Sequence, residues 1–274
     1  MPRQLLAEYP DDPSRFDEMF SAPGAPRAHY APLYSHLLGQ TAPQLRDLFN
    51  DLDRQIRDNG VTYNVYDDQE GASRPWAMDP LPLIIPADEW AGIERAVAQR
   101  GALLNAILAD IYGPQTLFHE GRLPPALVLG HPGFQRPAHG ITPPGGVFLH
   151  LLALDLARSP DGQWWVINDR SQSPSGMGYA LENRILTSRL LPDLFRELRV
   201  TRLANFFAAL RDAIATYAPH GAERVNTVLL TPGPYNETYF EHAYLARYLG
   251  FPLVEGQDLT VRDGCVWLKT LSGL

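Results

Sequence analysis

The chain holds one cysteine, Cys265, in 274 residues. A single thiol excludes an intramolecular disulfide, and nothing resembles the several Cys and His ligands of a structural zinc site. Positive charge is also scarce: 23 Lys and Arg face 31 Asp and Glu, a formal charge of −8. A partner built of nucleic-acid phosphates calls for a basic face, so no nucleic-acid partner is expected. No apolar run approaches the ~20 residues that cross a bilayer, so no membrane partner is expected either. The opening residues MPRQLLAEYPDDPSRFDEMF lack the basic start and apolar stretch of a signal peptide, and a cytoplasmic location is the default expectation.

What is present is a chain long enough for one large domain or two modest ones. Residues 1–30 are rich in Pro, Asp and Ala and read as an irregular arm with one short helix at most. Leu45, Leu48, Phe49, Leu52 and Ile56 recur at helical spacing and predict an amphipathic helix over 43–59. Residues 61–66 are a strand candidate, followed by a turn-rich loop. Trp90, Ile93, Val97, Leu104, Ile107, Leu108 and Ile111 mark a long helix, with Asp88 as its N-cap and Gly113-Pro114 as its stop. Pro and Gly crowd residues 120–146, where loops with short strands are expected.

Two extended runs follow, 147–158 and 163–170. They flank Ser-Pro-Asp-Gly, a hairpin turn signal. Helices are predicted over 177–191 and 203–217. The last segment alternates: a strand over 225–230, a helix capped by Asn236 and ended by Gly250, a strand at Leu253–Val254, then a hairpin around Asp263-Gly264. Cys265 lies in that hairpin and reads as an ordinary strand residue rather than a nucleophile.

Chemistry concentrates around the first hairpin. With Asp161-Gly162 as a two-residue turn, Asp155 lies opposite Asn168 and diagonal to Arg170. Side chains alternate with period two, so these three share one face and Asp169 points to the other. The plain explanation is a solvent-exposed strand end. The sharper one is a phosphate and metal site, since Mg²⁺ takes oxygen ligands from one or two carboxylates together with phosphates. Ser173-Pro174-Ser175-Gly176 then leads into a helix, where small residues and free N–H groups favour an anion. A plain N-cap turn is the alternative there.

LDLARSPDGQWWVINDRSQSPSGMGYALENR resembles the circularly permuted ATP-grasp family, relatives of glutathionylspermidine synthase. So do VTYNVYDDQEGASRPWAMDPLPLIIP before it and LLTPGPYNETYFEHAYLARYLGFPLVEGQDLTVRDGCVWLKT after it. The resemblance spans roughly residues 60–274. It implies an α/β (α+β) fold: an incomplete circularly permuted ATP-grasp fold with a small β-α-β substrate-type domain. The expected division is an N-terminal arm and helix (1–60), an ATP-grasp portion containing the hairpin of 147–170 (61–200) and the small α/β domain (201–274). The chain ends directly after a strand, which is expected of a fragment inactive alone.

The implied activity is an ATP-dependent carboxylate–amine ligase that forms an amide through an acyl phosphate. ATP and Mg²⁺ are the implied cofactors, and a small-molecule or peptide carboxylate and an amine are the implied substrates. The alternative is a non-catalytic member that binds nucleotide or peptide. In the related synthases an Asp and a Glu-x-Asn hold Mg²⁺. Asp155 fits the first position, and Asn168-Asp169-Arg170 stands at the second. The resemblance therefore implies Asp155 and Asn168 as metal ligands, with Arg158 and Arg170 as catalytic cations. Ser173, Ser175, Gly176, Asn183 and Arg184 are implied substrate contacts. Thr231, Tyr235, Asn236 and Glu241 occupy family-motif positions without an implied role.

Overall fold

The structure, a computed structural model, describes residues 12, 14–64, 74–218 and 226–273. The chain divides into two compact units, each discontinuous in sequence. In described residues, one comprises 17–64, 74–84, 175–218 and 226–273, and the other comprises 12, 14–16 and 85–174. The division expected from sequence was into three contiguous segments. The helices of eight or more residues are α1 (Ala31–Leu38), α2 (Ala42–Asp58), α3 (Ala87–Ile111), α4 (Met177–Leu190), α5 (Ala204–Thr216) and α6 (Tyr239–Leu249). The strands are β1 (Phe20–Ala22), β2 (Ala25–Pro26), β3 (Ala153–Arg158), β4 (Trp164–Arg170), β5 (Leu229–Leu230), β6 (Leu253–Val254), β7 (Leu259–Arg262) and β8 (Cys265–Leu268). Each sheet has two strands. None of the described helices is long and apolar enough to cross a membrane.

In the first unit α4 is the organising element. Tyr179 and Leu186 pack with Leu52, Ile56 and Val61 on one side. Leu181 packs with Phe207 and Leu245 on another. A helix buried on more than one side shows no clean amphipathic stripe, which is why its sequence reads as helical without revealing its centrality. The α2 helix starts at Thr41, whose side chain accepts from the Gln44 N–H while Gln44 reaches back to the Thr41 N–H, a capping box. The α1 helix lies between the expected arm (1–30) and the expected helix (43–59), where the sequence pattern predicts no element. It carries Leu33 and Leu37 into a core with Tyr30, Leu191 and Leu194.

Strand pairing in this unit is sparse. Thr62 bridges Pro75, while residues 65 and 66 of the expected strand lie outside the described residues. Parallel β5 and β6 flank α6 in sequence. The β5 strand is confined to Leu229–Leu230, and position 225 of the expected strand also lies outside the described residues. Thr238, not Asn236, is the N-cap of α6, and Asn236 Oδ1 accepts from the Thr238 N–H one step earlier. Gly250 ends the helix at φ 76. Asp263 and Gly264, both with positive φ, turn β7 into β8.

The second unit is built on α3 and the β3–β4 hairpin. Pro86, rather than Asp88, occupies the N-cap of α3, and Asp88 and Glu89 sit in the first turn, where carboxylates favour the helix dipole. Residues 147–152 are not strand. The Asn105 side chain of α3 accepts from the Phe148 and Leu149 N–H groups and donates to the Gly146 carbonyl, so that backbone finds its partners on a helix. Residues 120–146 hold helical turns and loops without strands. There Tyr112 stacks on Phe134 and accepts from the Gln135 N–H.

The hairpin turn has three residues, Pro160, Asp161 and Gly162. Ser159 and Gln163 close it, and Gly162 adopts φ 86. That geometry alone would shift the register by one residue. A bulge between Asp155 and Leu156 places an extra residue on β4 and restores it.

Candidate functional site

With the bulge in place, Asp155 pairs with Asn168 and Ala153 with Arg170, while Ala157 pairs with Trp165 nearer the turn. Paired residues share a face. One face of the hairpin therefore carries Ala153, Asp155, Ala157, Trp165, Asn168 and Arg170. The other carries Leu154, Leu156, Arg158, Trp164, Val166 and Asp169.

On the first face Asp155 Oδ2 accepts from Asn168 Nδ2 at 3.1 Å and from Arg170 Nε and a terminal nitrogen at 3.0 and 2.9 Å. The Arg170 guanidinium, seconded by the Asn168 amide, holds the Asp155 carboxyl below the usual carboxylate range. Both partners are solvent-accessible, with side chains 55% and 36% exposed, so the pair adds little to stability. Trp165 is 62% exposed on the same face, its indole N–H donating to Ser159 Oγ. The sequence did not point to Trp165, because strict alternation puts it on the face of Asp169 and only the bulge carries it to the face of Asp155.

The donor set bears on the expected metal. Among the described residues no three His, Cys, Asp or Glu come together as metal ligands. One carboxylate already neutralised by a guanidinium, with one amide beside it, does not fit a resident divalent cation. It fits a carboxylate whose charge is already matched by a guanidinium.

The second face is packed. Asp169 takes two hydrogen bonds from Arg100 of α3 at 2.6 and 2.5 Å. Arg158, expected as a catalytic cation, is engaged on every side. It pairs with Glu89, donates to the Gly162 carbonyl at 3.0 Å, and lies between the Phe16 and Trp164 rings at 4.5 and 4.2 Å. Its side chain is 9% exposed. Trp164 also donates to Glu89. These contacts fix the turn of the hairpin to the first turn of α3. Glu89, an acidic residue in the first turn of the expected helix, gave no sequence sign of this role.

The remaining expected residues fall in two places. Ser173, in the second unit, is exposed and holds φ 43, a left-handed conformation uncommon for a residue with a Cβ. Ser175, Gly176, Asn183 and Arg184 belong to the first unit. Ser175 is exposed. Asn183 Oδ1 accepts from the Trp76 indole at 2.9 Å, and Arg184 donates to the Thr201 carbonyl at 2.6 Å. Burial pulls the Arg184 guanidinium below its ordinary value.

Gly176, the N-cap of α4 at φ 116, does not present a free N–H. It donates to both carboxyl oxygens of Glu241, at 2.7 and 2.9 Å, and the Gly178 N–H donates to one of them at 2.7 Å. The other motif positions also have local partners. Thr231 Oγ1 meets His242 Nδ1 at 2.9 Å and accepts from the Gly233 N–H. Thr238 Oγ1 donates to Asn236 Oδ1 and lies 3.3 Å from His242 Nε2.

A sequence model described as circularly permuted ATP-grasp type 2 matches residues 82–274. An uncharacterised protein of Synechocystis sp. is 39% identical over 265 residues, covering 96% of this chain and 55% of that protein. One from Mycobacterium tuberculosis (strain H37Rv) is 40% identical over 281 residues, covering 99% of this chain and 32% of the relative. One from Mycobacterium leprae is 38% identical over 258 residues, covering 94% and 45%. The chain thus spans between a third and just over half of the length of these relatives.

Proposed function

From the premise that this chain belongs to the circularly permuted ATP-grasp type 2 family, we propose that it is part of an ATP-dependent carboxylate–amine ligase. The observation that carries the reading is the Asp155–Asn168–Arg170 cluster on the open face of the hairpin. Reactions of this class transfer the γ-phosphoryl group to a carboxylate oxygen, and ADP leaves. The amine then attacks the acyl carbon, the carbon–oxygen bond to phosphate breaks, and the amine proton is lost as the amide forms. Such chemistry asks the protein for positioning and for charge around the phosphates.

Arg170 supplies that charge in this reading. Its guanidinium turns from Asp155 to a phosphate oxygen, and Asp155 and Asn168 hold it in the open position between turnovers. Ser173 and Ser175, both exposed, serve as substrate contacts in this reading. Arg158 keeps the hairpin turn in place rather than touching phosphate. Magnesium enters only as the usual companion of ATP in this family, and no step is assigned to it.

A second reading, a non-catalytic member that binds nucleotide or peptide, is favoured by one observation: the Arg170 guanidinium sits on Asp155 Oδ2, at a position where the related synthases hold a metal. The test is substrate-dependent ADP release by the full-length protein, screened over amine and carboxylate mixtures. Asp155→Ala and Arg170→Met abolish release under the first reading. ADP release that is unchanged in both variants, or absent from the unaltered protein, rules out the ligase reading.

A further inference from the structure

The motif TPGPYNETYFEH leaves one residue in an unusual place. Glu241 lies in the first turn of α6 and is 2% exposed. Its carboxyl group accepts three short contacts from two backbone N–H groups, those of Gly176 and Gly178, 65 and 63 residues earlier. The fit is close on both sides. A Cβ at Gly178 would stand 2.8 Å from Glu241 Cγ, and Gly176 holds a φ of 116 that side chains rarely adopt. The first N–H groups of a helix lack intrahelical partners and attract an anion. Here the anion is the protein's own.

We propose that Glu241 is a positioning residue for the loop that carries Ser175 and Gly176, and that it closes the start of α4 to the substrate anion that small residues there would otherwise suit. The proposal rests on the ligase reading for what the loop serves, and on geometry alone for what Glu241 does. Substrate anions then meet Ser175 and the outer side of the loop, not the helix start. The residue also ties the loop to α6, so that a displacement of α6 releases Gly176 and Gly178 together.

Two variants test this in the full-length protein. Glu241→Leu keeps the bulk and removes both acceptor oxygens. Glu241→Gln keeps one oxygen, enough for one position of each N–H, and places an amide N–H near Gly176. Amide exchange at residues 176–178 is expected to rise about tenfold or more in the Leu variant, with exchange at Leu52 and Ile56 unchanged, and to rise less in the Gln variant. Where the Leu variant does not fold, the Gln variant decides, through faster exchange at Gly176 than at Gly178. Exchange at both glycines equal to that of the unaltered protein overturns the proposal. In kinetics, kcat for ADP release is expected to fall in the Gln variant by about tenfold at constant nucleotide KM, because the loop and not the nucleotide is disturbed. Faster exchange with unchanged kcat overturns the positioning role and leaves a helix cap. If the unaltered protein releases no ADP, the ligase reading fails, and the exchange data still decide what Glu241 holds.

Discussion

Two carboxyl groups, Asp155 and Glu241, stand in regions that answer the same electrostatic problem in opposite ways. On the open face of the β3–β4 hairpin, Asp155 meets a guanidinium and an amide side chain within reach of solvent. At the start of α4, Glu241 meets only backbone N–H groups and is almost wholly buried. The first arrangement is cheap to break, because water replaces whatever partner leaves. The second is expensive to break, because a departing carboxyl strands two N–H groups in the interior. Exposed side-chain pairs suit groups that must change partners during a reaction. Buried side-chain-to-backbone contacts suit groups that must hold a loop still. The contrast recurs within the hairpin, where the Arg170 side chain on the open face is 55% exposed and the Arg158 side chain on the packed face 9%.

The comparison breaks most readily at Arg158. Arg158→Leu leaves Glu89 without its counter-charge and removes the cation between Phe16 and Trp164. Removing one member of a largely buried pair costs about 3 kcal/mol or more. Urea unfolding followed by tryptophan fluorescence should show a loss of that order. A loss under about 0.5 kcal/mol would place Arg158 with the exposed, replaceable cations. Gly178→Ala comes next. Its added Cβ meets Glu241 Cγ at 2.8 Å, and overpacking of this kind costs about 1–3 kcal/mol. A stabilised Gly178→Ala protein, as ordinary helix propensity alone would give, would show that the α4 start is looser than its geometry.

How much of this contrast could be read from the sequence depends on the range over which each contact acts. The open face was legible, because alternation along a strand is a local rule and Asp155, Asn168 and Arg170 obey it. Its register followed from a two-residue turn that the protein does not use. The three-residue turn and the bulge offset one another, so the pairing of Asp155 with Asn168 survived an incorrect turn. The helix over 43–59 was legible from its apolar spacing. The α1 helix was not, because Pro32 and the irregular residues before it hid the spacing of Tyr30, Leu33 and Leu37. Nothing local could announce that Asn105 would satisfy the backbone of residues 146–149, or that Arg158 would be enclosed by Phe16, Trp164 and Glu89. The capture of the α4 start by Glu241 joins positions more than 60 residues apart. Its only sequence trace was a glycine at 178, the second residue of a helix, where Gly is otherwise unfavourable.

A smaller effect sharpens the contrast on the exposed side. Asp155→Ala removes a pair that solvent already screens, so its urea midpoint at neutral pH should match that of the unaltered protein. The same substitution is expected to abolish ADP release. A loss of stability as large as that expected of Arg158→Leu would mean that the open face is structural, and the comparison with Glu241 would collapse.

The smallest effect carries a sign that separates the two groups. Arg170 and Asn168 hold the Asp155 carboxyl below its ordinary value. Its stabilising contribution is therefore present above the usual Asp range and is lost as pH falls through the depressed folded value. Burial pushes the Glu241 carboxyl up, and the Gly178 and Gly176 N–H groups offset only part of that. Its contribution is therefore complete below the usual Glu range and declines as pH rises through the raised folded value. Each neutral isostere removes one of these slopes. Relative to the unaltered protein, Asp155→Asn should lose stability as pH climbs through the usual Asp range. Glu241→Gln should gain stability as pH climbs above the usual Glu range. Urea midpoints measured for all three proteins across pH 3 to 8 (roughly the span in which carboxyl groups titrate) give the two slopes directly. Slopes of the same sign would mean that Asp155 and Glu241 sit in electrostatically equivalent surroundings. Opposite signs would mean that one fold keeps an exposed carboxyl ionised for exchange of partners while it tolerates a strained, buried one to keep a loop in place.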